Sequence, residues 1–422
     1  MFRALTALGL LVWFSAASGQ PPVSPPGANA LRDSLPAESE PAPLLIPGQP
    51  NPVDSTELNT PERARTEYER ARRMEARHPA VAIVTYRKAL RIDPHLGDAH
   101  YRIGMLFNTR AQWTEAAKSF SAELVHHPDH REAARELGMA LARAGEHERA
   151  RAQLERLTRE HPDDAREWHA LAFAHQQAGR PAEAEKALRT GLRIAPREFE
   201  LHRDLGTLFA SQGRDDDARR EYAEALRLAP RDPSTWLNLG NLERRGGRPD
   251  SALACYRRAT RNDSDFTLSY QGQVQVLGEL KRTDEQLEVY RRWLKRKPEE
   301  HGARLEMVQL LLALRRTEEA LEVARAGAEA APGSGQAHMI HAMGLAGVGQ
   351  VRAAVKALRE SQKYFQGTPN DVARAERMVE VLRAAAPDSL RGFFRTDSLA
   401  RARAVARAAG MVRVDTTAAP RR

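Results

Sequence analysis

One period, of roughly 34 residues, runs through this chain and restricts its fold more than any other feature. Pro94, Pro128, Pro162, Pro196 and Pro230 stand at equal intervals, and Pro298 and Pro332 keep the phase, with Ser264 on the one rung between. Ala82, Ala116, Ala150, Ala184, Ala218, Ala252, Ala320 and Ala354 form a second ladder, interrupted only by Gln286. A third lies four residues after each alanine: Tyr86, Phe120, Leu154, Leu188, Tyr222, Tyr256, Tyr290 and Leu358, with the small Ala324 as its gap. Gly145, Gly179, Gly213, Gly247 and Gly349 mark a fourth. Self-similarity of this kind belongs to stacked copies of one supersecondary unit.

The unit from Pro233 to Phe266 shows what each ladder does. Its apolar residues recur at three- and four-residue spacing in two stretches, which predicts two helices. The first carries Trp236, Leu239 and Gly240; the second carries Ala252, Tyr256 and Ala259. Gly247 sits at the turn, where a positive φ costs a glycine little. Gly240 and Ala252 are small enough for the two helices to approach closely, and Tyr256 is expected to fill space towards the next unit. The closing proline stops the second helix. One such hairpin cannot bury its apolar face alone, so stability has to be shared between neighbours.

Trp236, Leu239 and Gly240 followed by Ala252 and Tyr256 resemble the tetratricopeptide repeat family. The same pattern returns as Ile103, Gly104, Phe107, Ala116, Phe120 and Pro128, and as Leu205, Gly206, Phe209, Ala218, Tyr222 and Pro230. Nine units start at residues 63, 97, 131, 165, 199, 233, 267, 301 and 335. The first, seventh and ninth match least well. The seventh has Gln273, Val274 and Gln286 where Leu, Gly and Ala are usual, which marks it as the place for a bend. Asp371 to Ala386 resembles the extra helix that caps such arrays. The resemblance implies an all-α fold, an α-α superhelix of the TPR solenoid type, whose concave groove is lined by first helices and binds peptides or proteins.

The expected organisation is a signal peptide over 1–19, a Pro-rich linker over 20–60, nine repeats over 61–368, a capping helix over 369–388 and a basic tail over 389–422. Arg3 and the apolar run Leu5–Phe14, followed by Ser15-Ala16-Ala17-Ser18-Gly19, have the order of a secretory signal. The apolar run is short for a membrane span, which needs about 20 residues. Pro21, Pro22, Pro25, Pro26, Pro36, Pro41, Pro43, Pro47, Pro50 and Pro52 forbid regular helix in the linker and predict a flexible tether. In the tail, Asp397 and Ser398 can cap a short helix to about Ala409, studded by Arg401, Arg403 and Arg407. Residues 391–422 hold eight Arg and two acids, against +9 for the whole chain.

These readings point to an exported protein: periplasmic, secreted or associated with an envelope. Membrane contact is possible through the N-terminus or the basic C-terminal helix. Chemistry for an enzyme is missing from the sequence. There is no Gly-Lys-Ser/Thr phosphate loop, no His-Glu-x-x-His and no Gly-x-Ser-x-Gly. No cofactor and no metal are expected. The one metal candidate, His126-His127-Pro128-Asp129-His130, falls on an inter-repeat turn, and His161-Pro162 repeats that turn one unit later. Cys255, the single cysteine, reads as a small core residue inside a second helix. Nucleic acid is not expected as a partner. Arg and Glu alternate within units, as in Arg131-Glu132-Ala133-Ala134-Arg135-Glu136, which is the pattern of a solvated face.

A protein or peptide partner is expected, and the groove can be read by phase. As the resemblance implies, first-helix positions 2, 5, 6, 9, 12 and 13 face away from the packed small residues. They place Tyr101, Arg102, Met105 and Asn108 in the groove, then Arg135, Glu136, Met139 and Arg143, then His169, Phe173, Gln176 and Gln177, then Arg203, Asp204 and Thr207. Later units add Asn238, Asn241, Arg244 and Arg245, then Gln271, Gln275, Glu306 and Gln309, and last Met339, Ile340 and Met343. Two family arrangements are absent. An asparagine ladder would need Asn in many repeats, and only Asn238 fits. A carboxylate clamp would need Lys and Asn in one unit, Asn in the next and Lys and Arg in the third, and no three units supply it. What remains is a patch of Asn238, Asn241, Arg244 and Arg245, extended by Gln271, Gln275 and Gln309. Its amides suit a peptide backbone and its paired arginines suit a carboxylate. Arg203, His169, Phe173, Arg135 and Tyr101 complete the expected lining. Met339, Ile340 and Met343 suggest an apolar pocket or packing at the C-terminal end. A sugar-binding role would need aromatic platforms, for which only Tyr101 and Phe173 qualify. The alternatives are a membrane-associated assembly factor for envelope polysaccharide or secretion machinery, and an intracellular regulator if residues 1–19 are no signal.

Overall fold

The computed structural model describes residues 60–365 and 369–395. The signal, the linker, and the tail helix expected after Asp397 lie outside these residues. The described chain is helical, with no strand, and divides into two compact units between Asp263 and Ser264, just before the seventh repeat.

The N-terminal unit contains six helical hairpins. They are α1 (Thr60–Met74) with α2 (Pro79–Ile92), α3 (Ala99–Thr109) with α4 (Trp113–His126), and α5 (Arg131–Arg143) with α6 (His147–Glu160). Then come α7 (Ala165–Gln177) with α8 (Pro181–Ile194), α9 (Phe199–Ser211) with α10 (Asp215–Leu228), and α11 (Pro233–Arg245) with α12 (Pro249–Asn262). The C-terminal unit contains three hairpins, α13 (Thr267–Glu279) with α14 (Thr283–Arg296), α15 (His301–Ala313) with α16 (Thr317–Ala330), and α17 (Gly335–Gly347) with α18 (Val351–Tyr364). A further helix, α19 (Pro369–Ala385), packs on α18 and leads to a 3-10 turn, Asp388–Leu390. The second helix of every hairpin opens one full period after that of the hairpin before it, from Pro79 to Val351.

The ladders acquire physical roles. The alanines from Ala82 to Ala252 are wholly buried at the hairpin crossing. The large residue four positions on seats against the glycine of the first helix of its own hairpin. A Cβ on Gly104 would lie 2.5 Å from the Phe120 ring, and one on Gly240 would lie 2.6 Å from the Tyr256 ring. Tyr256 therefore seats in the notch of its own repeat's first helix. The first-helix glycine leaves that notch, in which a bulky side chain fits. Each such burial stabilises by about 1.5–3 kcal/mol.

The turn between the two helices requires a positive φ. Gly145, Gly179, Gly213, Gly247 and Gly349 supply it with φ between 67° and 83°, while Ala111, Lys281 and Arg315 adopt φ of 54°, 57° and 61° at the equivalent places. A second device closes the joints. The side chain at the fourth position of a first helix donates to the carbonyl of the proline six residues earlier. Trp168 Nε1 reaches Pro162 O at 2.9 Å, Trp236 Nε1 reaches Pro230 O at 2.9 Å, and His338 Nε2 reaches Pro332 O at 2.8 Å. His202 and Arg304 do the same to Pro196 and Pro298. This satisfies a carbonyl left over at the helix end.

The irregular repeats are repaired locally. In the seventh, Gln286 donates to Val274 O at 3.0 Å, and buried Gln273 donates to Ser269 O at 3.3 Å. Trp293 stacks on Tyr270 and Tyr290 at 5.7 and 6.4 Å between ring centroids. In the first, α1 buries Ala64 and Ala71 and exposes Arg63, Arg65, Arg70, Arg72 and Arg73, a charged face suited to end a stack.

Candidate functional site

Side chains on and beside the first helices of the N-terminal unit are tied to one another from repeat to repeat. Arg102 Nε donates to Tyr68 Oη at 2.9 Å and to Asp98 at 3.0 Å, and its Nη1 reaches Glu75 at 3.3 Å. Asn108 donates to Glu136 at 3.1 Å. Arg131 and Arg135 converge on the fully buried Glu167 at 2.8 and 3.1 Å, and Arg131 also pairs with Asp164. His169 Nε2 meets Asp204 at 2.6 Å, while Arg203 pairs with Asp204 at 3.0 Å and with Asp232 at 4.0 Å. Asn238 donates to Thr207 at 3.2 Å. Burial pushes the Asp204 carboxyl up, but the His169 hydrogen bond and Arg203 outweigh it and hold it below the usual range. Burial raises Glu136.

The sequence-derived patch on α11 thus already has partners within the protein. Asn241 accepts from Tyr256 Oη at 2.7 Å, and Arg245 pairs with Asp215 at 2.7 Å. Arg244 is half-buried and likewise engaged. Tyr101 lies against Phe120 and His130, at 5.7 and 4.9 Å between centroids, and its backbone N–H donates to buried Glu123 at 3.1 Å. Phe173 is half-buried and carries the guanidinium of Arg143 at 4.9 Å. In the C-terminal unit Gln271 and Gln275 are exposed on α13 and Gln309 is half-buried on α15. Glu306 accepts from Tyr290 Oη at 2.8 Å. Met339, Ile340 and Met343 are buried, so they are core and leave no open apolar pocket.

The centre of each first helix, at its ninth position, forms a stripe with a gradient. Met105 is exposed, Met139 and Phe173 are half-buried, and Thr207 and Asn241 are exposed. The stripe is apolar in the second to fourth repeats and polar in the fifth and sixth.

Phase reading did not find Trp113. This residue opens a second helix, yet its ring lies 5.0 Å from the Arg143 guanidinium. The histidines around Pro128 have partners of their own. His126 Nδ1 approaches His95 Nδ1 at 3.2 Å, and His130 Nδ1 donates to Glu123 at 2.9 Å. Among the described residues no group of three or more His, Cys, Asp or Glu could hold a metal ion. Cys255 is buried, and burial pushes its thiol up to about 11, which makes it a core residue and a poor nucleophile. No described helix is long and apolar enough to cross a membrane.

Residues 63–267 match the family model of the cilia and flagella-associated protein 70 C-terminal domain, a TPR domain. Residues 237–301 and 273–335 match a tetratricopeptide repeat model. The chain is a tetratricopeptide repeat protein. Among solved TPR structures it is similar to TTC0263 of Thermus thermophilus, at 23% identity over 42% of this chain and 97% of that one, with a TM-score of 0.39. It is also similar to pilF of Pseudomonas aeruginosa, at 19% identity over 51% of this chain and 100% of that one, TM-score 0.38. MamA of Desulfovibrio magneticus RS-1 is a third, at 20% identity over 40% and 95%, TM-score 0.36. No curated protein sequence matches the chain. TPR proteins bind protein or peptide partners, and this one is a repeat scaffold of that kind.

Proposed function

We propose that the chain is an exported, non-enzymatic scaffold that holds an extended segment of a partner protein along the first helices of its N-terminal unit, within an envelope assembly. The observation that carries this reading is the side-chain ladder joining Arg131 and Arg135 to Glu167, His169 to Asp204 and Asn238 to Thr207. A lining already fixed by its own bonds loses little entropy when a ligand arrives, so weak contacts can add up. The ninth-position stripe from Met105 to Asn241 offers those contacts on one line. Export is supported by the Leu5–Phe14 run and the small residues after it.

Site-specific photo-crosslinking in the source cell tests the reading. A photoreactive residue at Met105 or Thr207 should capture the same protein, and one at Val84 or Ala223, exposed on second helices, should not. Capture from the second-helix positions alone would overturn the groove. Mass spectrometry of the mature N-terminus tests export: a start near Gln20 supports it, and an intact Met1 on the soluble protein overturns it.

A further inference from the structure

Most arginines on the groove side of the N-terminal unit are neutralised within the protein. Arg102, Arg135, Arg203 and Arg245 each hold a carboxylate. Arg143, the last residue of α5, does not. It is half-buried, yet among the described residues no carboxylate or carbonyl accepts a hydrogen bond from it. Glu136, two turns earlier on α5, feels its charge but is hydrogen-bonded to Asn108 instead. What Arg143 has are two aromatic faces. Its guanidinium carbon lies 5.0 Å from the centroid of Trp113, in the preceding repeat, and 4.9 Å from that of Phe173, in the following repeat.

Rings hold a guanidinium through its faces and leave its N–H edge unused. That edge carries five donors in a plane, a shape that matches a carboxylate bidentately. A half-buried cation without an acceptor is costly, whereas one that gains an acceptor on binding recovers that cost. Two apolar groups stand beside it. Met139 lies one turn earlier on α5, and Phe173 is the next residue of the ninth-position stripe.

We propose that Arg143, held between Trp113 and Phe173, receives an Asp or Glu side chain of the bound segment, with an apolar residue beside it resting on Met139 and Phe173. This deepens the groove reading and rests on it.

The test is a positional-scanning peptide array that includes phosphoserine, probed with the full chain and with Arg143→Gln and Arg143→Lys. The wild type should prefer Asp or Glu at one position next to an apolar one. Arg143→Gln should lower the preference for Glu over Gln about tenfold or more, since a charged hydrogen-bonded pair is lost. Arg143→Lys keeps the charge but not the planar fork and should lose most of it too. The apolar preference and the melting temperature should stay. A wild type that binds peptides without acidic preference, or an Arg143→Gln protein that keeps it, overturns the inference and leaves the groove standing. A stronger preference for phosphoserine than for Glu makes the receptor one for phosphate and overturns it as stated. A wild type that binds no peptide removes the groove reading and this inference together.

Discussion

Gly240 shows how much one missing methyl group can matter in a stack of repeats. Its hydrogen faces the ring of Tyr256 closely enough that an added Cβ would sit 2.6 Å from it. The ring is wholly buried and cannot move aside cheaply. Gly240→Ala should therefore destabilise the protein by about 1–3 kcal/mol, read as a lower denaturant midpoint, as overpacking does elsewhere. An unchanged midpoint would show that the ring has room to shift. Glu200 offers a residue-scale prediction of opposite sign. Burial, with Glu198 beside it, pushes this carboxyl up to about 7. The folded chain then keeps a proton that the unfolded chain has released, so stability falls as pH rises from about 4.5 towards 7 and stays lower above that. Glu200→Gln should raise the melting temperature at pH 8 and raise it less at pH 5. Equal gains at both would remove the explanation. The same scale shows where the sequence stopped being informative. Periodicity identified which side of α11 carries Asn241 and Arg245, but not that Tyr256 and Asp215 would reach them. Those partners lie 15 and 30 residues away, and side-chain reach decides the contact.

At the scale of elements the chain was far more legible. The proline and alanine ladders placed the second helices because both residue types have narrow physical reasons to recur, a helix stop and a close crossing. The glycine ladder was less complete than the geometry it serves. Ala111 and Lys281 hold the left-handed turn without being glycine, at a cost of about 1–2 kcal/mol for a residue with a Cβ. Replacing both by glycine should raise the melting temperature. A fall would mean that the flexibility gained by the unfolded chain outweighs the strain removed. Asp164 joins two elements, capping α7 through the backbone N–H of Arg166 while pairing with Arg131 of α5. The Arg166 hydrogen bond is the largest cause that holds its carboxyl at about 2, below the usual range. Its contribution should be complete above about pH 4 and disappear as pH falls towards 2. The difference in melting temperature between wild type and Asp164→Asn should shrink over that interval, because Asn keeps the cap and loses only the charge; a difference that stays constant would show that the charge contributes nothing. Arg143 was in phase for the groove, but its two rings come from different repeats and from different kinds of helix. No single-repeat pattern could have joined them.

For the molecule as a whole, repetition means that the unit of tolerance is the repeat. Deleting residues 199–232 removes one complete hairpin and joins like surfaces, so the product should remain helical and soluble with a lower melting temperature. Deleting only residues 215–231 leaves α9 without its mate and should give aggregated protein. Similar behaviour of the two deletions would argue against nearest-neighbour stability. The side chains that close the joints have a different consequence. A proline carbonyl asks only for one hydrogen, and in this chain an indole, an imidazole or a guanidinium supplies it. Bulk, aromaticity and charge can all drift at that place while the way one hairpin meets the next is inherited unchanged. Resemblance between repeats then fades in letters long before it fades in shape.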